Sequence, residues 1–595
     1  MKKHIITILM LLAVAFGASS CFNLDEKVFD RVDASVYYED ESSVKSAVAS
    51  IYNEASRGYA EYFYYLQEFS ADQVAWRSWN GGLWGYDEAQ KYVLSCQNWT
   101  ADSKIIRQTW ETAWTAIGLC NHVIEDLRNI DHAKVKMTQE KINSYIAEVR
   151  TLRAWAYYNV FEIWGGALPL NISTSTDIPA TADPDFDTSC KKIYNFIATE
   201  LDESVNDLPK NEVNRMNQAA NRVIKARLLL NSEIFIKEDH FADCANLCQS
   251  ILNGDFGTYK LTSDYRDIYG MNNDKCPEVI MAFAYEVGKT EGAALNMRDV
   301  PFLPYNVWDA MGLKSDASGW NCCCLEPSYD NSGTVLATGG TTGATCFLDA
   351  PYNDKLGAVY ARFDDRDIRK QAYTCDNKGN WKGLFLKGAQ KDYKTGKALK
   401  ADADRDGQDL VYVDQVGTFL QTNGVKLETV MSPRWGETNS GYRLIRYPIY
   451  PDEVGFDFRN ADEVEFRLSE VVYMLAECKL RAGDATAAKD LVNTVRQRYF
   501  SATDWAVVKD QPGPGFTAFD KDWMLSEWGK EFLGEGRRRR TDLRRFNKFT
   551  QGQWWFFGRT SENFPAKRNE KYEWFPLPSS ALLVNPGLIQ NPNYK

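Results

Sequence analysis

The chain has 595 residues, and 81 acidic against 69 basic side chains leave a formal charge of −12. That balance argues against a nucleic-acid binder, which needs a basic face to neutralise phosphates. Beyond the N-terminus no stretch is apolar enough to cross a bilayer, so any membrane attachment has to come from an anchor.

At the N-terminus, Lys2 and Lys3 precede an apolar run from Ile5 to Phe16, then small residues and Cys21. This is the pattern of a secretory signal peptide over 1–20, too short for a span of roughly 20 apolar residues. Ala18-Ser19-Ser20-Cys21 resembles a bacterial lipoprotein box, with Ala18 where Leu is more usual. It predicts lipidation of Cys21, and several acyl chains would hold where one binds weakly. The other reading is ordinary cleavage beside an incidental cysteine. Asp25 and Glu26 resemble the signal that sends bacterial lipoproteins to the cell surface.

Residues 59–86 are dense in aromatics, from Tyr59 to Tyr86. In ADQVAWRSWNGGLWGYDE three tryptophans stand among Gly, Asn, Arg and Asp with neither a helical nor a strand period. A glycine-loosened loop of this kind shows rings to solvent. Sugar rings present flat C–H faces that pack on such rings, and their hydroxyls need polar partners. Apolar stripes at helical spacing then fill 104–130, 138–164, 187–208, 215–236 and 241–253. Residues 260–440 are instead rich in Gly, Asp, Asn, Thr and aromatics. There Asp402, Asp404 and Asp406 alternate before Gly407, like the opening of a calcium loop. Val413 stands where that loop needs a glutamate, so a solvated acidic turn is the competing reading. Further helical stripes occupy 462–482, 485–499 and 521–548. In the first two, Val464, Leu468, Val471, Leu475 and Cys478 share a face, Gly483 ends the helix and Asp484 can cap the next. In the third, Arg537 to Arg540, Arg544 and Arg545 interleave with Glu527, Glu531, Glu535 and Asp542, which predicts a self-neutralising helix.

The 13 cysteines form no framework. Cys322, Cys323 and Cys324 are consecutive and poorly placed to share one zinc. They read as buried free thiols, with room for one or two disulfides around 322–346 and 375. His122, His132 and His240 have no Cys or His at ligand spacing. No His-Glu-x-x-His or Gly-x-Ser-x-Gly is present, and Gly288-Lys289-Thr290 lacks the earlier glycine of a phosphate loop because Phe283 stands there.

Several separated segments carry a family resemblance. They are EVRTLRAWAYYNVFEIWGGALPL at 148–170, SGYRLIRYP at 440–448, EFRLSEVVYMLAECKLRAGDATAAKDLVNTVRQRYF at 465–500, EWGKEFLGEGRRRRTDLRRF at 527–546 and WFPLPSSALLVNPGLIQNPNY at 574–594. Together, and in this order, they resemble the SusD/RagB family of outer-membrane nutrient-binding lipoproteins of Bacteroidota. The resemblance implies a mainly α fold, in which tetratricopeptide-like hairpins at 104–164, 187–253 and 462–500 scaffold a loop-rich ligand-binding region at about 260–440. It implies one body over 21–595 and no required cofactor; calcium at the acidic turn stays an option from the carboxylate spacing alone. It also implies a non-enzymatic surface protein that captures a glycan and delivers it to a SusC-like TonB-dependent transporter. Peptide binding in the RagB manner, and a surface hydrolase, are the alternatives. With the aromatic reading it points to Asp72, Trp76, Arg77, Trp79, Asn80 and Trp84 from the first region. Tyr305, Trp308, Trp320 and Asn321 are the candidates from the middle one. For each ring the competing reading is a place in the core.

Overall fold

The periodicities read from the sequence become helices whose ends follow local chemistry. The computed structural model describes residues 37–76, 90–95, 97–174, 180–286, 299–313, 319–326, 328, 357–401, 409–414, 421–422, 425–426, 438–439, 441–451, 461–536, 538–552 and 569–595. Cys21 and the signal segment, Arg77, Trp79, Asn80, Trp84, Asp402, Asp404 and Asp406 lie outside the described residues.

Helix α1, Glu41–Glu54, opens on a reciprocal cap between Asp40 and Ser43 and buries Val44, Ala47, Val48 and Ile51. It runs on through a π-helical Ala55–Phe63 into Tyr64–Glu68. A wider π turn rotates the buried face, and Tyr59, Phe63, Tyr64, Tyr65 and Phe69 all enter the core. Strand β1 is Val74–Trp76. Helices α2, Lys104–Arg128, and α3, Gln139–Trp164, pack together, and α3 is buried on nearly every side from Ala147 onward. The exit of α3 needs glycine twice. Gly165 has φ +57, and a Cβ there would lie 2.8 Å from Phe186 and 2.9 Å from Trp574; one on Gly166 would strike the Phe186 carbonyl.

Helices α4, Phe186–Ser204, α5, Gln218–Leu230, and α6, Phe241–Leu252, continue the layer. The middle supplies short strands: β2, Val279–Phe283; β3, Cys323–Leu325; β4, Thr374–Cys375; β5, Trp381–Lys382; β6, Phe385–Leu386; and β7, Arg443–Leu444. Strand β8, Glu463–Arg467, leads directly into α7, Leu468–Arg481, which pairs with α8, Ala485–Arg496. Gly483 has φ +90 between them, and the Asp484 carboxylate accepts from the Ala487 N–H at 2.9 Å. Helix α7 also packs on α5 and α6, so buried residues of the N- and C-terminal blocks belong to one continuous hydrophobic cluster. Helices α9, Lys521–Glu531, and α10, Arg539–Arg545, follow. The fold is mainly α, as expected.

Three boundaries differ from the sequence reading. Val464 lies on β8, not on a helix, because β8 pairs antiparallel with β2. The 215–236 stripe divides at Asn231. The 521–548 stripe breaks where Gly534 and Gly536 take φ +73 and +84.

The Arg/Glu-rich segment is not a solvated, self-neutralising helix; apart from Arg545 and Arg538 with Asp542 and Lys530 with Glu527, its partners lie on other elements. Glu531 accepts from Arg467 and Arg498 at 2.7 Å each, from Arg369 at 3.2 Å and from the Tyr499 hydroxyl at 2.8 Å. Glu535 accepts from Arg467 at 2.8 Å, from Tyr269 at 2.7 Å and from Arg446. Glu477 on α7 holds Arg545 at 2.8 and 2.9 Å, and Glu470 holds Arg227 of α5 at 2.6 and 2.9 Å. Burial alone would raise the Glu531 carboxyl, but Arg467, Arg498 and Arg369 outweigh it and hold it at about 2. This seam stitches α5, α7, α9 and α10 to the middle of the chain. The described cysteines are free thiols, and those at 322–324 are buried.

Candidate functional site

Pairing of β1 with β3 brings the two aromatic regions together. The register sets Val74 against Leu325, Ala75 against Cys324 and Trp76 against Cys323. The Trp76 N–H donates to Ser95 Oγ at 2.7 Å. Behind β3, Gly441 has φ +71, and a Cβ there would lie 2.6 Å from Cys324 Cβ, so only glycine fits against the cysteine run. The chain from Val300 to Leu303 lies alongside. The Trp320 N–H donates to the Val300 carbonyl at 2.9 Å, Asn321 N–H to Leu303 at 3.0 Å, and both Cys322 and Cys323 N–H to Pro301 at 2.8 Å.

The candidates divide by this geometry. Trp76 is not a loop ring: it is 1% exposed on a strand, packed against Phe69 at 5.5 Å and edge-on to Trp320 at 6.3 Å. Trp320 is half-buried, as are Tyr305 and Trp308. The Lys91 ammonium sits 4.8 Å from the Trp76 ring centre, 5.1 Å from Tyr65 and 5.2 Å from Trp320, a cation held among three ring faces. Nothing in the pattern around Lys91 marks it in advance, because its ring neighbours come from the 59–86 region and from Trp320, far along the chain.

Asn321 and Asp72 are structural in their contacts. Asn321, at φ +50, accepts from Arg443 at 3.1 Å; Arg443 also donates to the Gly441 and Thr438 carbonyls and lies 4.4 Å over the Tyr412 ring. Asp72 is buried in a two-bond pair with Arg539, at 2.6 and 3.0 Å. Burial would raise its carboxyl, but Arg539 holds it below the usual carboxylate range. Both residues fix the backbone on which the rings are carried. Trp320, braced by Trp76 and Lys91, and the half-buried Tyr305 and Trp308 nearby in the chain from 300 to 308 each keep part of a ring in solvent. Among the described residues no cluster of His, Cys, Asp and Glu is arranged to hold a metal, and no helix is long and apolar enough to cross a membrane.

Comparison with known proteins gives consistent matches. The sequence model described as "SusD family" matches residues 277–594, and one described as "Starch-binding associating with outer membrane" matches 65–224. The starch-binding protein SusD of Bacteroides thetaiotaomicron is 23% identical over 527 residues, covering 86% of this chain and 83% of that protein. Among solved structures, a SusD superfamily protein from Parabacteroides distasonis superimposes with a TM-score of 0.61 at 16% identity, covering 92% of this chain and 99% of the other. Surface glycan-binding protein A from Bacteroides thetaiotaomicron does so with a TM-score of 0.60 at 17% identity, covering 93% and 100%.

Proposed function

The chain belongs to the SusD family, and from that premise we propose that it is a cell-surface, lipid-anchored protein that captures a glycan on the Trp320 platform. The observation that carries this reading is the half-buried Trp320, held in place from behind by Trp76 and Lys91. A stacking ring that is braced before ligand arrives loses little freedom on binding. The names of the relatives, a starch-binding protein and a surface glycan-binding protein, support the same chemistry. Recognition proceeds without covalent steps. Captured oligosaccharide or polysaccharide passes to a SusC-like TonB-dependent transporter in the outer membrane, the partner that the family resemblance implies. Cys21 carries the anchor.

Retention of the protein in native gels containing a panel of polysaccharides tests the reading. Slowed migration in at least one glycan gel is expected. Migration unchanged across neutral and acidic glycans, together with binding to a peptide array, would replace glycan by peptide. Cys21→Ala should release a soluble form or leave an uncleaved precursor; a processed variant still in the membrane fraction would place the anchor elsewhere.

A further inference from the structure

A polar cleft of about 530 Å³ shares no lining residue with the Trp320 platform. One side is the turn region 264–277; the other is the tip of the β4–β5 hairpin, Lys378 to Trp381, with Tyr450 between. The hairpin tip is fixed. Asp376 accepts from the Lys378 N–H, the Asn380 N–H and the Asn380 side chain, each at 2.9 Å. Gly379 has φ +80, and a Cβ there would lie 3.4 Å from the Tyr450 ring.

The charges in this cleft are not balanced alike. Its carboxylates are engaged: Asp264 by Arg266 at 2.8 and 2.9 Å, Asp267 by the Thr262 hydroxyl at 2.8 Å, and neighbouring Asp376 by its own turn. The ammonium groups of Lys275 and Lys378 make no hydrogen bond or ion pair among the described residues, and neither does the Asn272 side chain. The lining carries Arg266, Lys275 and Lys378 against Asp264 and Asp267, one positive charge in excess, with Asp376 in the field of Lys378 just outside it, whereas the chain as a whole carries −12.

We propose that this cleft is a second glycan subsite, selective for an acidic sugar unit bearing a carboxylate or a sulfate. The anion accepts from Lys275 and Lys378, Asn272 meets a ring hydroxyl, and Tyr450 offers an apolar surface to the sugar C–H face. The proposal rests on the glycan-capture reading but on different residues, so the two can fail separately.

Calorimetric titration of the full mature chain with trigalacturonate, a sulfated galactose oligosaccharide and neutral galactotriose at low salt is the test. At least one acidic probe should bind about tenfold tighter than the neutral one, and added salt should erase the difference. The double variant Lys275→Gln/Lys378→Gln should lose the preference with an unchanged melting temperature, because both side chains are exposed. Trp320→Ala should keep it. Equal binding of acidic and neutral probes by the native protein, or a preference that survives in the double variant, would overturn the subsite. A lysine-dependent preference with no glycan loss in Trp320→Ala would leave the subsite standing and remove the platform.

Discussion

The ionic seam around Glu531 and the aromatic platform around Trp320 invert the usual placement of side chains. At the seam, Glu531 and its partners Arg467, Arg498 and Arg369 are as inaccessible as leucines. At the platform, Trp320, Trp308 and Tyr305 keep part of their surface in water. Buried charges contribute little net stability against apolar replacements, yet each requires its partners in place, so they specify how helices and loops meet. Rings left half in solvent do little for the core, and their faces remain available to a ligand. The seam fixes how the parts of the molecule meet, and the platform is the surface proposed to bind.

The difference can be broken first at the seam. Glu531→Ala would leave three guanidinium groups buried around a missing carboxylate, at a cost of about 3–5 kcal/mol. A strongly lowered thermal midpoint or loss of soluble protein is expected; a midpoint close to the parent's would mean the seam is dispensable. Leu475→Asp on buried α7 should be comparable, since it places an unpaired charge in the helical core. Trp76→Ala sharpens the boundary between the regions. Its ring is buried, so truncation should cost about 3–5 kcal/mol of stability, and any loss of binding should come with loss of structure.

Acid and base act on the same comparison. Glu531 and Glu535 have folded values of about 2, below the ordinary 4.5, so their contribution is complete above about 4.5 and is lost as pH falls toward 2. Glu68 and Glu162 are raised to about 7 by burial; the folded state holds their protons where the unfolded chain has released them, so stability falls as pH rises from 4.5 to 7. A thermal-midpoint profile should therefore peak near pH 4.5, and Glu68→Gln should flatten its neutral side. A midpoint that rises steadily to pH 7 would contradict both assignments.

Much of the scaffold was legible because helices advertise themselves by period. The stripes at 104–130, 138–164 and 485–499, the Gly483 stop and the Asp484 cap stand where the pattern places them. The Gly-Gly exit after Trp164 was visible as wording, but its cause, the contact with Phe186 and Trp574, is tertiary. The helix at Glu41–Glu54 has a cap and a Val44/Ala47/Val48/Ile51 stripe, yet it merges through a π-helical turn into an aromatic run with no single period. Val464 matched a helical face and lies on β8, because the five-residue partner β2 is remote in sequence. At the candidate site, composition marked the first aromatic region, and only the resemblance implied that it meets the middle one, as the β1–β3 pairing brings about. The exposure of individual rings did not: Trp76 and Trp320 have similar polar neighbours, and only β1–β3 pairing decides which one is covered. Arg539 was read as neutralised within its own helix because its partner, Asp72, is at the other end of the chain.

The central claim, that the platform binds while the seam supports, is tested most directly by Trp320→Ala, read for glycan affinity and thermal midpoint on the same preparation. Loss of about 2 kcal/mol of binding, roughly thirtyfold in affinity, is expected for a central stacking ring, with the midpoint nearly unchanged. Normal affinity for a glycan that the parent binds, or unfolding of the variant, would contradict the account.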